Sequence, residues 1–203
     1  MLILVAAAIT ASSPVETPEL VLSPPTDGAR LDHVRVDVEL EPDAIEATLT
    51  LDLATASKDW VATQVAIAVP PGTVATALTL DSEGKTLRGR PLRIEAAHDA
   101  YDQALLIKRD PALLEQTDSG LLLHVFPIAR DTPASVRIFL RLPRLAGLRV
   151  RAGDAPVELV EARGETVPAW MTEDHSVRYP VSPHVALFAA PDPSRTDWLL
   201  RRR

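Results

Sequence analysis

His98, Tyr101 and Asp102 are the first residues whose types and spacing could do chemistry. Steps of three and four place an imidazole, a phenol and a carboxylate on one side of a helix, within reach of a shared proton. That set would suit a hydrolase-type enzyme. Packing is the stronger reading, because a helix tyrosine facing a sheet buries its ring and needs only a partner for its hydroxyl. Glu115 is the next carboxylate of interest: it follows the apolar residues Ala112, Leu113 and Leu114, so it must be hydrogen-bonded or face water. Arg88 or Arg90 is its expected partner. The other histidines, His33, His124, His175 and His184, are scattered. The sequence has no nucleophile elbow, phosphate-cradling glycine loop, dinucleotide fingerprint or His-Glu-x-x-His helix. No catalytic, cofactor-binding or metal residue is therefore assigned, and no cofactor is expected.

The charges suggest a second chemistry. Residues 1–60 carry eleven carboxylates against Arg30, Arg35 and Lys58, whereas Arg130, Arg137, Arg141, Arg144, Arg149 and Arg151 meet only Asp131 across residues 130–151. Such a basic run could hold a polyanion or a polysaccharide. The expected role is intramolecular, with the Arg137 strand near the strand of Asp37 or Glu46, since opposite charges on neighbouring strands contribute roughly 0.2–1 kcal/mol each. A net charge of −7 argues against nonspecific binding to nucleic acid or an anionic membrane. The absence of cysteine excludes disulfides, thiol nucleophiles and cysteine-ligated zinc.

These residues must be positioned by elements, and the pattern is that of a mainly β protein with one prominent helix. Val34, Val36, Val38 and Leu40 alternate with Arg35, Asp37 and Glu39, and Ile45 to Leu53 alternates in the same way. Val61 to Val69 continues the rhythm up to the turn Pro70-Pro71-Gly72, and Val74 to Leu80 precedes a second turn at residues 81–84. Antiparallel pairing is expected. From Lys85 to Ile128 the order is strand, helix, short apolar strand, longer apolar strand. The helix carries Ile94, Ala97, Tyr101, Leu105 and Lys108 on one stripe, with Lys108 and Arg109 in its last turn and Pro111 as its stop. Val136 to Leu142 forms another strand with Phe139 facing outward, and Gly153-Asp154 is expected to turn a hairpin between residues 148–151 and 157–160.

The ends read differently. Residues 1–13, apolar from Leu2 to Ile9 with small residues for processing, resemble an export signal that lacks a basic start; the run is too short to span a bilayer, which takes about 20 residues. Residues 14–30, with Pro14, Pro18, Pro24 and Pro25, read as an extended linker to a β-domain over 31–161. Residues 162–203 are proline-rich, yet Trp170, Tyr179, Val185, Leu187, Phe188 and Trp198 give them apolar surface enough to dock in part.

Several short strings occur in a telling order: Pro70-Pro71-Gly72-Thr73, Leu78-Thr79-Leu80, Gly84 to Gly89, Ala97, Tyr101 and Ala104, then Ala112-Leu113-Leu114-Glu115 and Val125-Phe126-Pro127-Ile128. Over roughly residues 31–143 this resembles the vault protein inter-alpha-trypsin (VIT) domain family. The resemblance implies an antiparallel β-sandwich-like domain with one helix, generally noncatalytic. It marks Pro71, Gly72, Gly89, Ala97, Tyr101, Ala104, Leu113, Leu114, Glu115, Phe126 and Pro127 as signature positions of structural rather than chemical use. The sequence departs from the family at Arg130-Asp131-Thr132-Pro133, where a Pro-Gly turn is common. It also has no room for the von Willebrand A domain that commonly follows; Asp192-Pro193-Ser194-Arg195-Thr196 is a poor version of that domain's metal loop.

The expected function is that of a noncatalytic module, secreted or in the periplasm or cell envelope, without a membrane span once processed. It would present strand edges or its C-terminal segment to another protein.

Overall fold

The computed structural model describes residues 19–82, 84–107, 110–143, 148–162 and 182–190. The candidate export signal, Lys108, Arg109, Arg144, Trp170, Tyr179, the Asp192–Thr196 loop and Trp198 lie outside the described residues. The first strands are β1 (Glu19–Leu22), β2 (Ala29–Leu40), β3 (Ala44–Thr55), β4 (Val61–Ala68), β5 (Val74–Ser82), β6 (Lys85–Arg88) and β7 (Arg90–Arg93). Helix α1 (Ile94–Leu106) follows, then β8 (Ala112–Thr117), β9 (Gly120–Ile128), β10 (Ala134–Pro143), β11 (Arg149–Arg151), β12 (Val157–Ala162) and β13 (Val185–Ala189). Among the described residues the fold is mainly β with a single helix, as the sequence predicts.

Two sheets pack face to face. One has seven strands in the order β11-β1-β4-β9-β8-β13-β7, the other six in the order β12-β2-β3-β10-β5-β6. Strict alternation makes this possible: Val34, Val36, Leu49, Leu51, Val136, Ile138 and Leu140 from one sheet meet Leu20, Val65, Ile67, Leu114, Leu121, Leu123 and Val125 from the other in one buried cluster. Antiparallel pairing dominates, but β1 with β11 and β2 with β12 are parallel.

Turn chemistry works largely as written in the sequence. Thr73 donates its N–H to the Pro70 carbonyl at 3.1 Å, and Gly72, at φ 82°, supplies the positive φ that such a turn demands. Arg130-Asp131 turns tightly without glycine, Ala129 and Thr132 exchanging main-chain hydrogen bonds of 3.0 and 3.1 Å. Gly89 joins β6, in the six-stranded sheet, directly to β7, in the seven-stranded one. Its N–H reaches the Leu78 carbonyl at 2.7 Å, and an added Cβ would stand 3.0 Å from Leu78 Cβ, so the crossing admits no side chain without a shift.

Three expectations need correction. The stretch read as a linker contains β1, whose Leu20 and Leu22 are buried in the core and whose strand pairs with β4. The expected hairpin at Gly153-Asp154 is a turn, with Ala155 N–H bonded to the Ala152 carbonyl, but its strands go to opposite sheets: β11 to β1 and β12 to β2. In the C-terminal segment, β13 does more than dock. It lies between β8 and β7, inside the seven-stranded sheet, so boundaries at 31 and 161 fall within the folded unit.

Candidate functional site

Strand alternation in β8 sends Ala112 and Leu114 into the sandwich and leaves Leu113 and Glu115 on the outer face of the seven-stranded sheet. Helix α1 lies on that face. Four alanines at 96, 97, 100 and 104 favour the helix, Glu95 suits the positive end of its dipole, and its first N–H is taken by the His184 carbonyl at 3.1 Å. Ala97, Tyr101 and Ala104 form the buried face against Leu113, Ala186 and Phe188. The small alanines bring the helix close, so side chains flanking its buried stripe reach the sheet.

His98 is one of these. Its Nε2 lies 2.9 Å from Glu115 Oε2, while His124 Nε2, from β9, lies 2.7 Å from Glu115 Oε1. Gln64 on β4 brings its Nε2 to 3.3 Å from His124 Nδ1. With the Gln64 amide donating, His124 Nδ1 is an acceptor and its Nε2–H points at Glu115; His98 donates from its own Nε2. The carboxylate is thus clamped by two imidazole N–H groups, one from the helix and one from the neighbouring strand. Glu115 and His124 side chains are each only 12% exposed, whereas His98 is 46% exposed. The Tyr101 ring meets His124 edge to face, centroids 5.6 Å apart.

This cluster replaces the predicted ion pair of Glu115 with Arg88 or Arg90. Arg90 lies over the Phe188 ring at 5.8 Å, and Arg88 belongs to β6 in the other sheet. His124 and Gln64 were invisible as partners, since each is merely an outward residue in an alternating strand; only the register, with Gln64 opposite His124 and His124 opposite Leu113, brings them together.

The chemistry available is limited. Tyr101 is 7% exposed, and burial first, then the Asp102 charge, pushes its hydroxyl well above the ordinary tyrosine range, the opposite of an activated phenolate. Among the described residues no group of three or more His, Asp or Glu side chains is arranged to hold a metal ion. The other positions singled out from the sequence occupy turns, crossings and packed sites. Pro71 and Gly72 lie in the β4–β5 turn, Gly89 at the sheet crossing, and Leu114 in the core. Phe126 packs edge-on against Trp60 with centroids 6.2 Å apart, next to buried Pro127.

The arginines are dispersed among acceptors. β10 lies beside β3, the Glu46 strand, as expected. Arg137 bonds Asp81 at 2.7 Å, Arg141 bonds Glu46 at 3.0 Å, Arg151 bonds Glu19 at 3.0 Å, and Arg130 donates to the Ala56 carbonyl at 2.8 Å.

A different kind of surface lies at the far side of the sandwich, where β12 ends the six-stranded sheet. Val157 and Leu159 are in register with buried Val34 and Val36, hence on the inner face, yet they are 37% and 47% exposed. The opposing edge strand β11 has three residues, and among the described residues it leaves this mouth open. Val34 donates to the Pro156 carbonyl at 3.0 Å. In a parallel ladder the residues facing the partner alternate, so the N–H and C=O groups of Val157 and Leu159 point outward. Among the described residues nothing pairs with that edge.

Compared with family models and with curated proteins, the chain matches none. No helix among the described residues is long and apolar enough to cross a membrane.

Proposed function

We propose that this chain is a VIT-like, noncatalytic protein-interaction module that works outside the cytoplasm and binds an extended segment of another protein by strand addition at β12. The observation that carries the reading is the β12 edge: outward main-chain groups at Val157 and Leu159 coincide with half-exposed apolar side chains that belong to the inner face. Edge hydrogen bonds supply affinity and alternate side chains supply selectivity. Two features argue against the enzymatic and polyanion alternatives. The helix tyrosine is buried with its proton held more tightly, and four of the arginines between 130 and 151 already have acceptors within the chain.

The test is Leu159→Pro. The Leu159 N–H does not serve the β2 ladder, so proline removes an edge donor while the bonds to β2 persist. The variant should keep the wild-type melting temperature to within a few degrees and lose binding of short, extended apolar peptides. Retained binding would place recognition elsewhere. Export is tested separately by sequencing the N-terminus of protein made in its host, where an intact Met1 would count against a cleaved leader.

A further inference from the structure

The β12 edge has two sides with different chemistry, and together they define what it can accept. On the inner side are Val157 and Leu159, apolar and half-exposed. On the outer side, Glu158 projects between them with its side chain 48% exposed. Its contacts are shared ones. Arg35 lies 3.4 Å away but is held by Asp37 at 2.6 Å, and His33 lies 3.8 Å away while also approaching Asp52 at 3.7 Å. The hydrogen bond and charge of Asp37 also come first among the influences that raise the Arg35 guanidinium above its ordinary value, ahead of Glu158. This corner therefore sets Asp37, Asp52 and Glu158 against one arginine and one histidine, and a carboxylate at the very edge remains short of positive charge.

Resting on the strand-addition reading, we propose that the partner is an extended segment in which a Lys or Arg stands between two apolar residues. A strand paired with β12 places alternate side chains on opposite faces. Its apolar residues then line the open mouth beside Val157 and Leu159, and the basic residue between them lands beside Glu158, as a cross-strand pair. A segment with an acidic residue at that position would meet Glu158 head on. The same logic predicts discrimination by charge without discrimination of exact side-chain shape, since the mouth is open.

Fluorescence polarisation on the full chain with three labelled synthetic peptides tests this: alternating Val-Lys, alternating Val-Thr and alternating Val-Glu. The expected order is Val-Lys, Val-Thr, Val-Glu, with about fivefold between the first and last, the scale of one cross-strand charge pair. Glu158→Lys should invert the order and Glu158→Gln should flatten it, both with melting temperatures near wild type, since Asp37 still holds Arg35. Leu159→Pro should weaken all three peptides. Equal binding of the three peptides, unchanged in Glu158→Lys but lost in Leu159→Pro, would overturn the charge rule and leave strand addition standing. If no peptide binds, or if Val-Lys binding survives Leu159→Pro, both the rule and the edge reading fall.

Discussion

The two outer faces of the sandwich stabilise their strands by different means. On the seven-stranded sheet, α1 buries Tyr101 and two alanines against Leu113 and Phe188 and adds the His98–Glu115–His124 clamp. On the six-stranded sheet the outward residues form a ladder of charges: Arg35 with Asp37, Arg137 with Asp81, Arg141 with Glu46 and Asp43. Phe139 interrupts that ladder, flanked by Thr48 and Ala77 on the adjoining strands and only 8% exposed. The difference teaches that one face depends on burial and so on shape, whereas the other tolerates change because each exposed pair contributes little.

Five measurements would break or sharpen that contrast. The largest effect should come from deleting residues 182–190. β13 joins β8 to β7 and supplies Ala186 and Phe188 to the helix floor, so cooperative thermal unfolding should be lost. Tyr101→Ala removes the largest buried side chain of the helix and should cost about 3 kcal/mol in urea unfolding. Glu115→Gln leaves two imidazole N–H groups facing an amide in place of a carboxylate and should cost roughly 1–3 kcal/mol. On the other face, Arg141→Ala should cost less than about 1 kcal/mol, because the side chain is half exposed, Asp43 is largely solvated and Glu46 keeps partial contact with water. If Glu115→Gln proved as mild as Arg141→Ala, the two faces would be alike.

The smallest effect concerns pH. Burial, with help from Glu41 and Glu39, lifts the Glu46 carboxyl above its ordinary value despite the opposing Arg141. The native state then binds that proton more tightly than the unfolded chain, so this group's contribution declines as pH rises through its native range. Glu46→Gln removes that decline, so in parallel denaturant titrations the variant should gain slightly on the wild type as pH rises across the carboxylate range, steepening the acid-side rise of stability; a shallower rise would reverse the sign of the argument.

Local pattern explains what was legible. Alternation in β2, β3 and β10, the proline-glycine turn after β4 and the Ala97–Tyr101–Ala104 helix face are properties of a few adjacent residues, and the structure has them where the sequence puts them. Pairing over distance left no such trace. Gly153 turns the chain equally well into a hairpin or between sheets, and nothing near Val185 announces that its strand enters between β8 and β7. Leu20 and Leu22 were hidden by neighbouring prolines, though their two-residue spacing was the usable signal. His124 could be found as Glu115's partner only once the β8–β9 register was known.

The turn at Ala152–Ala155 has a mechanical consequence. It ties β11 to β12, so the last strand of one sheet and the last strand of the other are the two arms of one short bracket. Strands twist as they are added to a sheet. A peptide zipped onto β12 would therefore load the bracket and pull on β11, whose grip on the body is its pairing with β1 from the opposite end of the chain.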